Sequence, residues 1–303
     1  MCPLQRFNVT TGELTAEEDR TGYAWSGRRS MAGELGLRRF GASVYELPEG
    51  ESTFPYHYHH GVEEWLYVLD GAPVLREPAG ERTLSRGDLV CFPSGHVGAH
   101  TVKGPGRFVI FSAGRRPSMS VYPDSDKASG PEGILLRSSA VDYWHGEGTA
   151  GPSEPVEIRR EPKTSPPQPV VNALTVGDAP LGPLLGAERL DAIVLELDPG
   201  ADSEPYHYVH GREEWLLVLA GTPTLRHAQG EDRLEPGDLV CFPDGPAGAH
   251  HVRNRSDSVV RALCLSTTDL PANAFYPETG QWLMRNGPGR DDLVVGEAGR
   301  PRR

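Results

Sequence analysis

The sequence predicts an all-β chain of two domains, and three observations carry that expectation: its length, its glycine and proline content, and a long internal duplication. The 303 residues are enough for two separate cores. The 36 Gly and 28 Pro break the chain every few residues and leave little room for long amphipathic helices. Short runs such as EEWLYVL (63–69) and GDLVCF (87–92) favour strands. Residues 41–100 align with 191–250 at a constant offset of 150 without a gap, and 35 of the 60 aligned positions are identical. After a four-residue length difference the likeness resumes in VYPDSDK (121–127) and FYPETGQ (275–281). A repeat unit of that length is a domain, not one turn of a solenoid.

Within a copy the elements follow in order: a strand ASVYELP (42–48), a turn, HYHHG (57–61), a strand EEWLYVL (63–69), a tight turn DGAP (70–73), a strand VLREP (74–78), a turn AGE (79–81) and a strand GDLVCFP (87–93). Short strands with such regular turns predict a small barrel or two-sheet sandwich able to hold a pocket. Gly61, Gly71, Gly211 and Gly221 are read as turn residues with positive φ. The domains are placed at 1–145 and 170–290. Between them, 146–169 contains six prolines within 151–169 and is expected to be an extended linker; 291–303 is expected to be a mobile tail. The stretch 11–35 has no counterpart of equal length in the second copy and is read as a short helix or a lid. A tandem duplication is also expected to fold as an intramolecular dimer that buries sheet edges between its halves.

Composition narrows the function. Charged residues at 24%, hydrophobic residues at 37% and aromatics at 8% describe a globular chain. Thirty basic against 42 acidic residues give a net charge of -12, which argues against nucleic acid as a partner. No window approaches a membrane span, and MCPLQRFNVTTGEL lacks the basic and apolar regions of a signal peptide, so a cytoplasmic protein without membrane partners is expected. Cys2, Cys91, Cys241 and Cys264 form no CxxC pair; Cys91 and Cys241 are read as packed thiols.

Chemistry gathers around the histidines. His57 and His59 are two apart on an extended segment, so both imidazoles leave one face. Glu64 follows across Gly61, read as a turn that folds the next strand back, and His100 comes from the later GAH segment. Three imidazoles and a carboxylate suit Fe(II), Mn(II), Ni(II), Cu(II) or Zn(II). His60 and His210 are expected outside the donor set, His96 in a loop, and Trp65 and Trp215 in the core. Tyr56, Tyr58, Tyr206 and Tyr208 flank the histidines and either pack or support them. Arg76 and Arg226 would hold a substrate carboxylate if they faced inward and be solvated if outward.

These residues resemble the cupin superfamily, and the duplication makes the chain similar to a bicupin. The family motif G-x5-HxH-x4-E-x6-G is matched by Gly50, His57, His59, Glu64 and Gly71, with one extra residue before His57. The motif G-x5-PxG-x2-H-x3-N is matched by Gly87, Pro93, Gly95 and His100, with two extra residues before the histidine and Gly104 in the asparagine place. The resemblance implies two tandem jelly-roll β-barrels, with a divalent metal held in the first by His57, His59, Glu64 and His100. Glu63 is the rival of Glu64, which fits the family spacing better. In the second copy the matching positions are His207, Val209, Glu214 and His250, so one ligand is replaced by an apolar side chain. The remaining two imidazoles and one carboxylate could form a facial triad; His210 could substitute only if the chain bulged.

The resemblance implies a metal-dependent enzyme, a non-haem Fe(II)-type oxygenase or dioxygenase acting on a small polar or anionic metabolite. Fe(II) is favoured, with Mn, Ni, Cu or Zn as alternatives, and Tyr58 and Arg76 are candidates for positioning the substrate. A non-redox isomerase or lyase, or a non-catalytic binding protein with a structural metal, are the other readings. The protein is expected as a monomer or homodimer.

Overall fold

The computed structural model describes residues 6–28, 31–34, 39–147, 164–268, 271–285 and 293–296, with Leu4, Leu37, Val156 and 160–162 as isolated additions. Strands dominate, and each copy forms an antiparallel barrel of a large and a small sheet. In the first copy the large sheet runs in the order Val170–Asn172, Asp88–Phe92, Tyr58–Gly71, Gly106–Tyr122, Phe40–Leu47, Tyr23–Arg28 and Thr15–Arg20. The small sheet opposite it contains Gly80–Thr83, Val74–Glu77 and Thr101–Lys103. The second copy has Arg6–Asn8, Asp238–Phe242, Glu214–Ala220, Val260–Thr267 and Leu190–Leu197 in its large sheet and Gly230–Arg233, Thr224–His227 and His250–Arg253 in the small one, but Tyr208–His210 is a separate strand in a further sheet with Ala272–Tyr276, Gln281–Arg285 and Leu293–Val295. Among the described residues no helix is long and apolar enough to cross a membrane.

Strand alternation assigns the two faces of each large sheet to different tasks. In Tyr58–Gly71, Leu66 and Val68 point into the first barrel and pack with Leu75, Val90, Val102 and Phe108. Trp65, Tyr67 and Leu69 point outward and join Phe40, Leu89 and Phe111 in a core shared with Trp215, Leu217, Leu219, Leu239 and Leu265 of the second copy. Trp215 makes an edge contact with Phe40 at 5.5 Å across that seam. The copies therefore meet by sheet faces, and the burial of sheet edges expected from sequence is supplied by exchanged strands. The physical reason for the face contact is the apolar outer row, which would otherwise lie open to water.

The edges are covered by exchanged arms. Arg6–Asn8, placed by sequence in the first domain, pairs with Asp238–Phe242 of the second barrel. Val170–Asn172, just past the linker, pairs with Asp88–Phe92 of the first. Asn8 Nδ2 donates to Pro236 O at 3.0 Å and Asp238 Oδ1 at 3.1 Å. Asn172 Nδ2 repeats this with Arg86 O and Asp88 Oδ1, both at 2.9 Å. Gly87 and Gly237, with φ of +89° and +88°, leave room for those asparagines, since a Cβ would stand within 2.8 Å of Asn172 Oδ1 or 2.7 Å of Asn8 Oδ1.

Buried carboxylates fasten the seam. Glu63, only 1% exposed, accepts from the backbone N–H groups of Glu188 at 2.7 Å, Arg189 at 3.1 Å and Leu190 at 3.0 Å, and from Trp65 Nε1 at 3.0 Å. Glu213 reciprocates, accepting from Arg39 N at 2.8 Å and Phe40 N at 3.1 Å. Each glutamate thus satisfies backbone donors at the start of the other copy's first barrel strand.

Other expectations change. The 11–35 stretch forms the hairpin Thr15–Arg20 and Tyr23–Arg28 on the edge of the first sheet, followed by a short helix Met31–Glu34, with Trp25 packed on Tyr45 and Phe54. Of the linker, 148–155, 157–159 and 163 lie outside the described residues; among the rest, Glu161 accepts from Tyr58 OH, and Gln168 is buried with its N–H on Glu77 and its Nε2 on Val97 O. In the tail, Leu293–Val295 pairs with Gln281–Arg285, while 291–292 and 297–303 lie outside the described residues. Cys91 and Cys241 are buried free thiols, as expected; Cys2 lies outside the described residues.

Removing the Glu63 carboxylate leaves four donors without it, two of them buried and two part-buried, so Glu63→Ala is expected to cost about 3 kcal/mol of folding stability. Denaturant titration measures this, and metal content should be unchanged, because Glu63 faces away from the barrel interior.

Candidate metal centre

Inside the first barrel a cavity of about 240 Å³ is lined by His57, His59, Glu64 and His100 together with Tyr45, Thr53, Phe54, Val102, Phe108, Ile110, Ser120 and Tyr122. His57 Nε2 lies 3.1 Å from His59 Nε2. Glu64 Oε2 is 3.2 Å from His59 Nε2 and 3.6 Å from His100 Nε2. Ligand atoms of His57, His59 and Glu64 lie within 4.8 Å of one another. Backbone pairing sets the approach: His57 and His100 exchange N–H···O bonds of 3.1 and 2.8 Å, which brings the two imidazole-bearing segments side by side.

Glu64 arrives by a different route from the one expected. Gly61 makes no turn between separate strands; Tyr58–Gly71 is continuous. His59 and Glu64 are an odd number of positions apart, which in a regular strand would put them on opposite faces. Gly61 has φ +83°, and the register against the neighbouring strand shifts between Gly114 and Met119. This bulge reverses the alternation, so both side chains enter the barrel. Glu63 then faces the seam, and Glu64 is the carboxylate among the histidines.

The ring orientations are set by neighbours. His57 Nδ1 is 2.9 Å from Pro55 O and His100 Nδ1 is 2.9 Å from Gly98 O, so each carries its proton there and turns an Nε2 lone pair to the cavity. Ser120 Oγ holds His59 Nδ1 at 2.9 Å. Phe92 stacks on His100 at 3.8 Å, and Tyr122 on His57 at 5.7 Å. Convergent lone pairs beside a carboxylate repel one another unless a proton or a cation lies between them, and this donor set fits a divalent transition metal. Burial, reinforced by the His100 and His59 rings, pushes the His57 pKa down to about 3. Burial also lowers His100. At His59 burial opposes the charged form, but the bond and charge of Glu64 outweigh it and raise the pKa. Burial alone would raise Glu64, yet His59 and the other imidazoles hold it at about 2.

The second barrel has a cavity of about 230 Å³ lined by His207, Glu214 and His250 among others, and ligand atoms of these three also lie within 4.8 Å of one another. His207 Nδ1 meets Pro205 O at 2.9 Å, and His250 Nδ1 meets Gly248 O at 2.8 Å, repeating the first site's orientation. Val209 supplies no donor. His210 does not replace it: its Nδ1 sits 3.1 Å from Asp244 and its ring stacks on Trp282, outside this cavity.

Tyr58 and Arg76 do not line the first cavity. Tyr58 points to the other side of its strand and donates to Glu161 at 2.6 Å. Arg76 faces outward, bound to Asp124 at 2.6 and 3.0 Å and lying over the Tyr56 ring. Arg226 repeats this with Glu278 and Tyr206. His60 is exposed, with its ring edge on Tyr58, and His96 begins a short 3-10 turn. Sequence reasoning missed Ser120, Tyr122, Phe54 and Phe92. Tyr122 was within reach, since it recurs as Tyr276 in the VYP/FYP match.

The lowered histidines give the metal-free protein a pH signature. His57, His100 and His250, the last also pushed down to about 3 by burial and His207, refuse protons that the unfolded chain accepts below its ordinary histidine pKa. His59 works in the opposite sense but is outnumbered. Stability of the metal-free protein is expected to be full above about pH 6.5 and to fall on acidification, by about 1.4 kcal/mol per pH unit for each titrating histidine. Thermal unfolding after chelation measures it, and a flat profile between neutral pH and the acid limb would contradict the burial described.

A cupin domain family model matches residues 43–114 and 193–266, one match in each barrel. A point mutant of Bacillus subtilis oxalate decarboxylase is similar over 89% of this chain and 78% of its own, at 14% identity and a TM-score of 0.55, a likeness of fold. A sugar phosphate isomerase of the cupin superfamily from Silicibacter pomeroyi is similar over 42% of this chain and 79% of its own, at 27% identity and a TM-score of 0.39. A putative sugar phosphate isomerase from Acidithiobacillus ferrooxidans is similar over 41% and 77%, at 28% identity and a TM-score of 0.37. No curated protein matches. With a cupin domain in each half and a group of His and Glu side chains able to hold a metal in each barrel, this chain belongs to the cupin superfamily as a bicupin.

Proposed function

We propose that the chain is a metal-dependent small-molecule enzyme whose working centre is the first barrel, with His57, His59, Glu64 and His100 holding a divalent transition metal. The observation that carries this reading is the convergence of three Nε2 atoms and one carboxylate oxygen at one end of a cavity large enough for a small metabolite. Fe(II) and oxygenase or dioxygenase chemistry is the favoured assignment. A divalent ion held there supplies Lewis acidity and, as Fe(II), one-electron chemistry with dioxygen.

The remaining work falls to side chains. Glu64, ionised at neutral pH, offsets part of the ion's charge, and Ser120 orients His59. Tyr45, Phe54, Phe108, Ile110 and Tyr122 form a largely apolar wall that excludes water and shapes the substrate. No Lys or Arg lines this cavity among the described residues, and Arg76 is held outside by Asp124. A compact substrate with one polar or anionic group toward the histidines and an apolar remainder against the aromatic wall fits best. A non-redox isomerase or lyase reading draws on the same donor set, which also accepts Mn(II); the oxalate decarboxylase of similar fold is described as having Mn(II) centres.

Elemental analysis of protein purified without added metal, alongside His100→Ala, tests the proposal, followed by an oxygen-uptake screen of small metabolites. About one redox-active ion lost in His100→Ala, with oxygen consumed, is the expected result. Bound Mn(II) or Zn(II) without oxygen uptake would move the assignment to isomerase or lyase chemistry. Absence of metal, or zinc indifferent to His100→Ala, would sink the enzyme reading.

A further inference from the structure

The two barrels differ position by position around equivalent cavities. His59 gives way to Val209, which removes a nitrogen donor. Phe54 gives way to Glu204, which lines the second cavity beside His207, Glu214 and His250. Phe108 is replaced by Ala262 and Ile110 by Cys264, equivalences given by their pairing with Val68 and Leu66 in one copy and Val218 and Leu216 in the other. The loss of an imidazole and the gain of a carboxylate thus occur on the same cavity of the same copy. Glu204 Oε2 lies 3.8 Å from His207 Nε2, while the Glu204 side chain stays 57% exposed at the mouth.

We propose that Glu204 completes a second divalent-cation site in the C-terminal barrel, built from His207, His250, Glu214 and Glu204 and chemically distinct from the first. This rests on the reading that the His and Glu cluster of the first barrel holds a metal. Three features carry it. The ligand atoms of His207, Glu214 and His250 already lie within 4.8 Å of one another. Pro205 O and Gly248 O fix both Nδ1 atoms as donors, so the two Nε2 lone pairs face the cavity. The single unsupplied position of the set is answered by a carboxylate within reach of His207.

The charge consequence separates the two barrels. Two carboxylates balance a divalent ion in the second site, whereas the single Glu64 leaves a net positive charge in the first. An anionic group is therefore drawn to the first barrel, and the second holds its ion without attracting one. The oxygen-richer set also suits harder ions better than three imidazoles do.

Mn(II) titration of the chelator-treated full-length protein, followed by the electron paramagnetic resonance of free Mn(II), tests this in wild type, His100→Ala, His207→Ala and Glu204→Gln. The wild type is expected to show two classes of site, one lost in His100→Ala and the other in His207→Ala. Glu204→Gln should weaken the His207-dependent class by about tenfold or more and leave the His100-dependent class unchanged. Because Glu204 is exposed, metal-free Glu204→Gln should unfold like wild type. An unaltered His207-dependent class in Glu204→Gln, or no such class in wild type, would overturn the inference while the first site stands. Loss of the His100-dependent class from wild type as well would bring down the reading beneath it.

Discussion

The alternation of one strand, Tyr58–Gly71, governs both halves of the molecule's organisation. Its inward side chains, Glu64, Leu66 and Val68, belong to the barrel, and its outward ones, Glu63, Trp65, Tyr67 and Leu69, belong to the seam. Moving this strand by one residue would exchange the two sets, sending Trp65 into the barrel and Glu64 into the shared core. The neighbouring acidic residues are therefore not interchangeable: one lies among the histidines of the barrel and the other binds backbone across the seam.

The seam in turn holds the donor-bearing strands in place. Glu63 and Glu213 reach across to the backbone that opens the other copy's first strand, and the exchanged arms Arg6–Asn8 and Val170–Asn172 close the exposed sheet edges. Arg107 donates from Nε to Val9 O at 2.8 Å, and Arg261 donates from Nε to Ala173 O at 3.0 Å, so each arm is also tied from its own copy. Each barrel is completed by the other, which makes the pair one cooperative unit and keeps the donor-bearing strands in fixed register.

Duplication preserved this frame and released the cavities to diverge. The seam residues recur as matched pairs such as Trp65 and Trp215, Leu89 and Leu239, and Cys91 and Cys241. Inside the barrels the packed rows recur as well, with Leu66, Val68, Leu75 and Phe92 matched by Leu216, Val218, Leu225 and Phe242, while the changes gather around the histidines, where His59, Phe54 and Ile110 become Val209, Glu204 and Cys264. The stacks of Phe92 on His100 and Phe242 on His250, at 3.8 and 3.7 Å, show that the support of the retained imidazoles survived in both.

By itself the sequence determined the two-barrel β-architecture, because turn residues and alternating apolar positions are local properties repeated at an offset of 150. The meeting of His57, His59, Glu64 and His100 was legible through motif spacing. Only the tertiary structure decided how Glu64 arrives, through the irregularity at Gly61, where the register against the neighbouring strand shifts. Nor could the sequence tell that Arg6–Asn8 belongs to the second barrel, or that Arg76 turns outward to Asp124, since both depend on partners distant in the chain. Local pattern specifies which side chains can share a face; long-range pairing selects which face, and whose.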